Sequence, residues 1–209
     1  MHREETMKPT NTGRLIADVL PASTFAFLWQ RIEPDASLLQ FLAQRAGSLY
    51  LVFPENYLLP DSQCESANNP KLANDERDTT VASRRSVVDA SEIPAFPTPT
   101  FILLDGTWKQ ARKMFHMSRW LEQIPLVRFD IDFDASYQLR QGAHPGQVST
   151  LEAAAGLLKA TGDIATADLM HDYFALFNEH YAASRGSRAP QFLAAEERIL
   201  QRQTQLHDH

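Results

Sequence analysis

The amino-acid sequence predicts an α/β fold with a mostly parallel sheet flanked by helices, on three observations. An apolar run, Phe101 to Leu104, ends in Asp105, passes Gly106 and opens a helix through Thr107. Open α/β sheets usually bind ligands at such carboxyl-terminal strand ends. Residues 24–53 read as strand, helix, strand, the order of a parallel pair joined by a crossover. From about residue 150 onward, apolar residues recur at helical spacing.

Taken in order, Thr24 to Gln30 reads as a first strand because it is rich in aromatic residues. Pro34-Asp35 starts a helix with Leu38, Leu39, Phe41, Leu42 and Ala46 on its apolar face, and Gly47 stops it. Leu49 to Phe53 is a short, wholly apolar strand closed by Pro54. Asn, Asp, Ser and Pro then dominate as far as Pro99. So long a connection is either a functional loop or a disordered insertion, and about 61–92 reads as a flexible insertion. The strand at 100–105 leads into a helix from Thr107 to about Ser118, and Leu126 to Phe129 reads as another short strand. Ser149 and Glu152 form a capping box ahead of Leu151, Ala154, Ala155, Leu157 and Leu158. Helices at about 166–184 and 190–205 complete what reads as a single domain of residues 1–209.

Composition narrows the function classes. The 209 residues are 44% hydrophobic and 22% charged, ordinary for a globular chain with one substantial core. No apolar run is long enough to cross a membrane, and no apolar signal region follows the charged start Met1-His2-Arg3-Glu4-Glu5, so a cytoplasmic location is expected. One cysteine, Cys64, excludes an internal disulfide and a four-cysteine zinc site, and it reads as a bystander. His171 and His180 are too far apart on their helix to share a ligand, so no metal is expected. There is neither a glycine-rich phosphate loop nor a G-x-S-x-G elbow. The net charge of −6 argues mildly against a nucleic-acid partner. Lys and Arg nevertheless outnumber Asp and Glu in residues 101–160, the segment that holds the strand-end motif.

Two constellations could carry chemistry. Lys109, Arg112, Lys113 and His116 fall on one helix face, with Trp108, Ala111 and Phe115 on the other. That face is either a solvated amphipathic surface or a stripe that follows phosphates. Asp105 is either a helix cap or a functional carboxylate at a strand end. Downstream come Tyr137-Gln138-Leu139-Arg140, His144-Pro145-Gly146-Gln147 and Ser149-Thr150-Leu151-Glu152-Ala153. Capping explains Ser149 and Glu152, but a helix start also offers backbone donors to anions. Arg14, in Thr10-Asn11-Thr12-Gly13-Arg14, could meet a phosphate.

The ordered set of Thr-Asn-Thr-Gly-Arg at 10–14, Leu-Val-Phe-Pro at 51–54, Leu-Asp-Gly-Thr-Trp at 104–108 with Gln110-Ala111 and Lys113, Tyr-Gln-Leu-Arg at 137–140 and Ser-Thr-Leu-Glu-Ala at 149–153 resembles the DTW-domain family. That resemblance implies a tRNA-uridine aminocarboxypropyltransferase using S-adenosylmethionine as substrate. It also implies a SPOUT-like fold with a C-terminal trefoil knot, a rare exception to general topology rules. The residues expected around S-adenosylmethionine are Phe53, Pro54, Leu104, Gly106, Thr107, Trp108, Ser149, Thr150 and Leu151, with Asp105 catalytic or substrate-orienting. Arg14, Lys109, Arg112, Lys113 and Arg140 are the candidate tRNA contacts. Many family members carry a cysteine-rich, zinc-binding segment before the first motif, which only residues 1–9 precede here. The rival readings are an RNA methyltransferase of the same fold and a non-catalytic RNA-binding protein, with the oligomeric state left open.

Overall fold

The computed structural model describes residues 1–53, 86–129 and 148–207, with side chains to residue 202. The chain divides into two compact units, one of Met1–Glu4 with Phe27–Phe129, the other of Glu5–Ala26 with Asp130–His209.

The first unit is built on a sheet of four parallel strands among the described residues: β1 (Leu49–Val52), β2 (Val87–Asp89), β3 (Thr100–Leu103) and β4 (Leu126–Arg128). Their spatial order is β2-β4-β1-β3, so β1, which leads into residues 51–54, and β3, which ends just before Leu104–Trp108, are neighbours. Their register pairs Leu49 with Thr100 and Val52 with Leu103. Leu51, buried to 0% exposure, packs with Phe53, Leu121 and Leu126. One helix, α2 (Ala36–Ala43), precedes β1, and Asp35 caps it by accepting the Ser37 amide at 2.8 Å. A second, α3 (Trp108–Met117), follows β3 and adds Ala111, Met114 and Phe115 to the same core. The Phe115 ring stacks on Phe53 with centroids 4.4 Å apart.

Three expectations are corrected here. Thr24 to Gln30 forms no strand. Two of its three aromatic residues pack instead: Phe27 tilts against Phe41, and Trp29 packs on the core while donating its indole N–H to Ser118 Oγ at 2.9 Å, whereas Phe25 is exposed. The Trp29 amide bonds the Met1 carbonyl rather than a sheet neighbour. Accordingly β1 takes its parallel partners from β3 and β4, far along the chain, and not from the preceding segment. Lastly, residues 87–92 are structured, although they read as the end of the insertion. Val87–Asp89 is an edge strand, and Asp89 caps the short 3₁₀ turn Ala90–Glu92 by accepting the Ser91 amide. Residues 54–85 lie outside the described residues.

The second unit is helical in its described part. It comprises α1 (Gly13–Val19), α4 (Thr150–Ala160), α5 (Ile164–Arg185) and α6 (Ala194–His207). The Ser149–Glu152 capping box starts α4 as the sequence predicts: Ser149 Oγ accepts the Glu152 amide at 3.2 Å and Glu152 returns a carboxylate to the Ser149 amide at 2.8 Å. Gly162, at φ +94°, closes α4 in a Schellman turn in which Asp163 N–H reaches the Leu158 carbonyl. Asp163 then caps α5. Leu15, Ile16, Leu151, Ala155, Leu157, Met170 and Phe174 form the buried interior. The buried carboxylate of Asp172 on α5 accepts from Arg198 Nε at 2.9 Å and Arg202 Nη1 at 3.0 Å, both on α6. Removing both arginines would strand a buried charge.

Where α5 ends, Glu179 accepts a two-pronged bond from Arg188, at 2.6 and 3.1 Å, and the Gln191 amide at 2.6 Å. Those bonds, the arginine's first, hold its carboxyl well below the ordinary 4.5, at about 2. A depressed folded-state value stabilises the fold fully above the unfolded value, and that stabilisation is lost as pH falls from 4.5 through about 2. Carbon-detected NMR titration should place the Glu179 midpoint near about 2, and Arg188→Met should return it towards 4.5.

Candidate functional site

At the carboxyl end of β3 the chain leaves the sheet through Leu104 and Asp105, turns at Gly106 and enters α3. A helix start leaves its first four N–H groups without intrahelical partners. Thr107 and Gln110 answer that need together. Thr107 Oγ1 accepts the Gln110 amide at 3.4 Å, and Gln110 Oε1 accepts the Thr107 amide at 2.8 Å. Capping thus falls to Thr107 and Gln110 and not to Asp105, whose carboxylate stands two residues ahead of the cap. The T-x-x-Q signature of this box is legible in the sequence, although reading the helix for its cations missed the capping role of Gln110.

Gly106 is required for closeness and not for a left-handed backbone. A Cβ placed there would stand 3.0 Å from Gln110 Cβ, 3.3 Å from Met114 Cε and 3.4 Å from Gln110 Oε1. Any side chain at 106 presses on the capping glutamine.

The turn is also held from outside. His2 N–H donates to the Asp105 carbonyl at 2.9 Å, and Glu4 Oε2 accepts from Gln110 Nε2 at 2.6 Å. The Met1 amino group donates to the Phe27 carbonyl at 2.9 Å. Burial lowers its pKa, and the nearby Asp105 carboxylate pulls in the opposite direction.

Around this turn the first unit gathers Phe53, Leu104, Asp105, Gly106, Thr107 and Trp108, with Lys109, Arg112 and Lys113 on the helix that follows. Phe53 is buried with its ring committed to the core, and Leu104 packs half-buried against that core. Asp105, Gly106, Thr107 and Trp108 are all half-buried. Lys109 and Lys113 are exposed and Arg112 is half-buried. The fourth member of the expected cationic face departs from it: both ring nitrogens of His116 are buried, and the imidazole meets Phe115 edge-on at 5.1 Å.

The second unit holds Arg14, Ser149, Thr150 and Leu151. Ser149 is spent on the capping box, Leu151 is fully buried and Thr150 is half-exposed. Asn11, 3% exposed, fixes the start of α1 by accepting the Arg14 amide on Oδ1 at 2.8 Å. Arg14 and Asp18 are exposed one turn apart on α1. Tyr173 donates to Asp18 at 3.3 Å; burial and the Asp18 charge raise the phenol's pKa while Arg14 opposes them. Neither Asp18 nor Tyr173 carries a sequence signature, because their meeting is a matter of helix packing. Pro54, Arg140 and the segments Tyr137–Arg140 and His144–Gln147 lie outside the described residues, as does Cys64. Among the described residues, no group of three or more His, Cys, Asp or Glu side chains converges as for a metal ion. No helix among them is long and apolar enough to cross a membrane.

The model of the DTW domain matches residues 1–182. The chain belongs to the DTW-domain family. This is a family tied to tRNA modification, and the match spans both the Asp105 turn and the Ser149 capping box while ending before α6. No solved structure matches the chain.

Two substitutions probe the DTW turn. Thr107→Val removes the hydroxyl acceptor at constant shape and should lower the unfolding free energy by about 1 kcal/mol. Gly106→Ala should cost about 1 kcal/mol as well, through displacement of Gln110. Urea denaturation checks both, and an unchanged Gly106→Ala midpoint would contradict the close-approach account.

Proposed function

We propose that this chain transfers the 3-amino-3-carboxypropyl group of S-adenosylmethionine to N3 of a tRNA uridine and releases methylthioadenosine. The observation that carries the reading is the Asp105–Trp108 turn. It combines a carboxylate, a half-buried indole and a helix start at the end of a parallel strand, beside the exposed Lys109 and Lys113. S-adenosylmethionine offers matching chemistry: a sulfonium and an ammonium for Asp105, a carboxylate for the start of a helix, and a flat adenine for the face of Trp108. Gly106, Leu104 and the backbone at Phe53 and Pro54 would line the same place. Ser149, Thr150 and Leu151 would serve through the start of α4.

Bond making is a displacement. The deprotonated N3 of uridine attacks the carbon bonded to sulfur, the N–C bond forms, the C–S bond breaks and its electron pair returns to sulfur. Neutral methylthioadenosine leaves. Asp105 either accepts the N3 proton or anchors the ammonium of the transferred chain. Positioning the two reactants supplies much of the remaining acceleration. Lys109, Arg112, Lys113, Arg14 and Arg140 would contact tRNA phosphates, so binding should weaken as salt rises. The same reading implies a SPOUT-like fold with a C-terminal knot; the parallel sheet supports its α/β class. It also implies a cytoplasmic location.

Incubation with S-adenosylmethionine and tRNA lacking the modification, followed by nucleoside mass spectrometry, tests the reaction. A uridine heavier by one aminocarboxypropyl group is expected, whereas a methylated nucleoside would keep the cofactor and overturn the chemistry. Asp105→Asn separates the two roles of the carboxylate. Loss of a general base should lower kcat by about 10²–10⁴-fold at nearly constant KM. Loss of an ammonium anchor should instead raise KM for S-adenosylmethionine.

A further inference from the structure

Gln110 spends both ends of its side-chain amide near the turn. Oε1 accepts the Thr107 amide at 2.8 Å and Nε2 donates to Glu4 Oε2 at 2.6 Å. A side-chain amide has two orientations, and only one suits a backbone N–H, because the other sets donor against donor. A glutamate carboxylate is acceptor-only when ionised, so it selects the same orientation from the opposite end. The bond is charge-assisted, and it polarises the amide so that Oε1 accepts more strongly. Gly106 leaves the space this arrangement needs.

Glu4 does not act alone. Two residues earlier, His2 N–H holds the Asp105 carbonyl at 2.9 Å, and the His2 ring stacks on Trp29 at 5.8 Å. The Trp29 amide in turn bonds the Met1 carbonyl at 2.8 Å. Residues 1–4 therefore grip the turn at both ends, at Asp105 and at Gln110, from a position anchored on the first unit. Glu4 itself is 72% exposed. An exposed single hydrogen bond adds little to global stability, so its consequence lies in orientation.

We propose that Glu4 is a positioning residue: through Gln110 it fixes the Asp105–Trp108 turn in the geometry that receives S-adenosylmethionine. The ligand half of this assignment rests on the transferase reading above; the orientation half does not. The test uses the full chain with Glu4→Ala and Glu4→Gln. In ¹H–¹⁵N spectra, Glu4→Ala should shift the Gln110 side-chain amide pair and the backbone amides of Gly106, Thr107 and Trp108, with Tm unchanged. Glu4→Gln, which keeps an acceptor oxygen, should restore most of that shift. With S-adenosylmethionine as the varied substrate, Glu4→Ala should raise KM about fivefold, with kcat little changed and rescue by Glu4→Gln. Unchanged Gln110 and turn amides would overturn the proposal. So would shifted amides with an unchanged KM. If the unsubstituted chain binds no S-adenosylmethionine while the amides still shift, the transferase reading and the ligand half fall together and the orientation half survives.

Discussion

The geometry of the candidate site depends on one reciprocal pair of hydrogen bonds, the Thr107–Gln110 capping box. β3 delivers Asp105 to the edge of the sheet and α3 carries the cations away from it. The box is what joins the two at a fixed angle. The Thr107 amide is thereby satisfied by a side chain of α3 itself, two residues beyond Asp105. Packing reinforces the joint from below: Ala111, Met114 and Phe115 seat α3 on Phe53 and Leu51, so the helix cannot swing without opening the best-packed part of the first unit. Local polar satisfaction and apolar burial thus favour the same conformation, the consistency that marks a well-specified element.

The second unit solves its own version of the problem. Ser149 and Glu152 start α4, Asn11 fixes the start of α1, and Gly162 with Asp163 turns α4 into α5. Each helix end is determined by side chains a few residues away, which suits a unit whose motif residues cluster at helix starts. α6 is different. It lies beyond the family match and is joined to α5 by the buried Asp172 with two arginines. Arg198 and Arg202 are consequently engaged by protein.

Sequence reading reached the features encoded locally. The Ser149 box, the β3–turn–α3 joint and the helical run of residues 164–185 are all specified by neighbours within a turn or two, and the structure shows them in place. It failed where distant partners decide. Thr24 to Gln30 has the aromatic content of a strand, but Phe27 packs on Phe41, Trp29 bonds Ser118, and the Trp29 amide and Phe27 carbonyl bond residue 1. Val87–Asp89 is too short and too polar at its flanks to announce itself, yet β4 recruits it as an edge. His116 shares the spacing of the lysines, yet its ring nitrogens are buried and its ring meets Phe115 edge-on. The bond from Glu4 to Gln110 spans just over half the chain, so no pattern in the sequence could have revealed it.

The proposed function puts S-adenosylmethionine at the Asp105–Trp108 turn. Titrating the ligand into ¹⁵N-labelled protein and following the assigned backbone amides tests it most directly. Saturable shifts concentrated at Gly106, Thr107 and Trp108 are expected. Saturable shifts that leave residues 105–108 untouched, or no shifts at all, would contradict it.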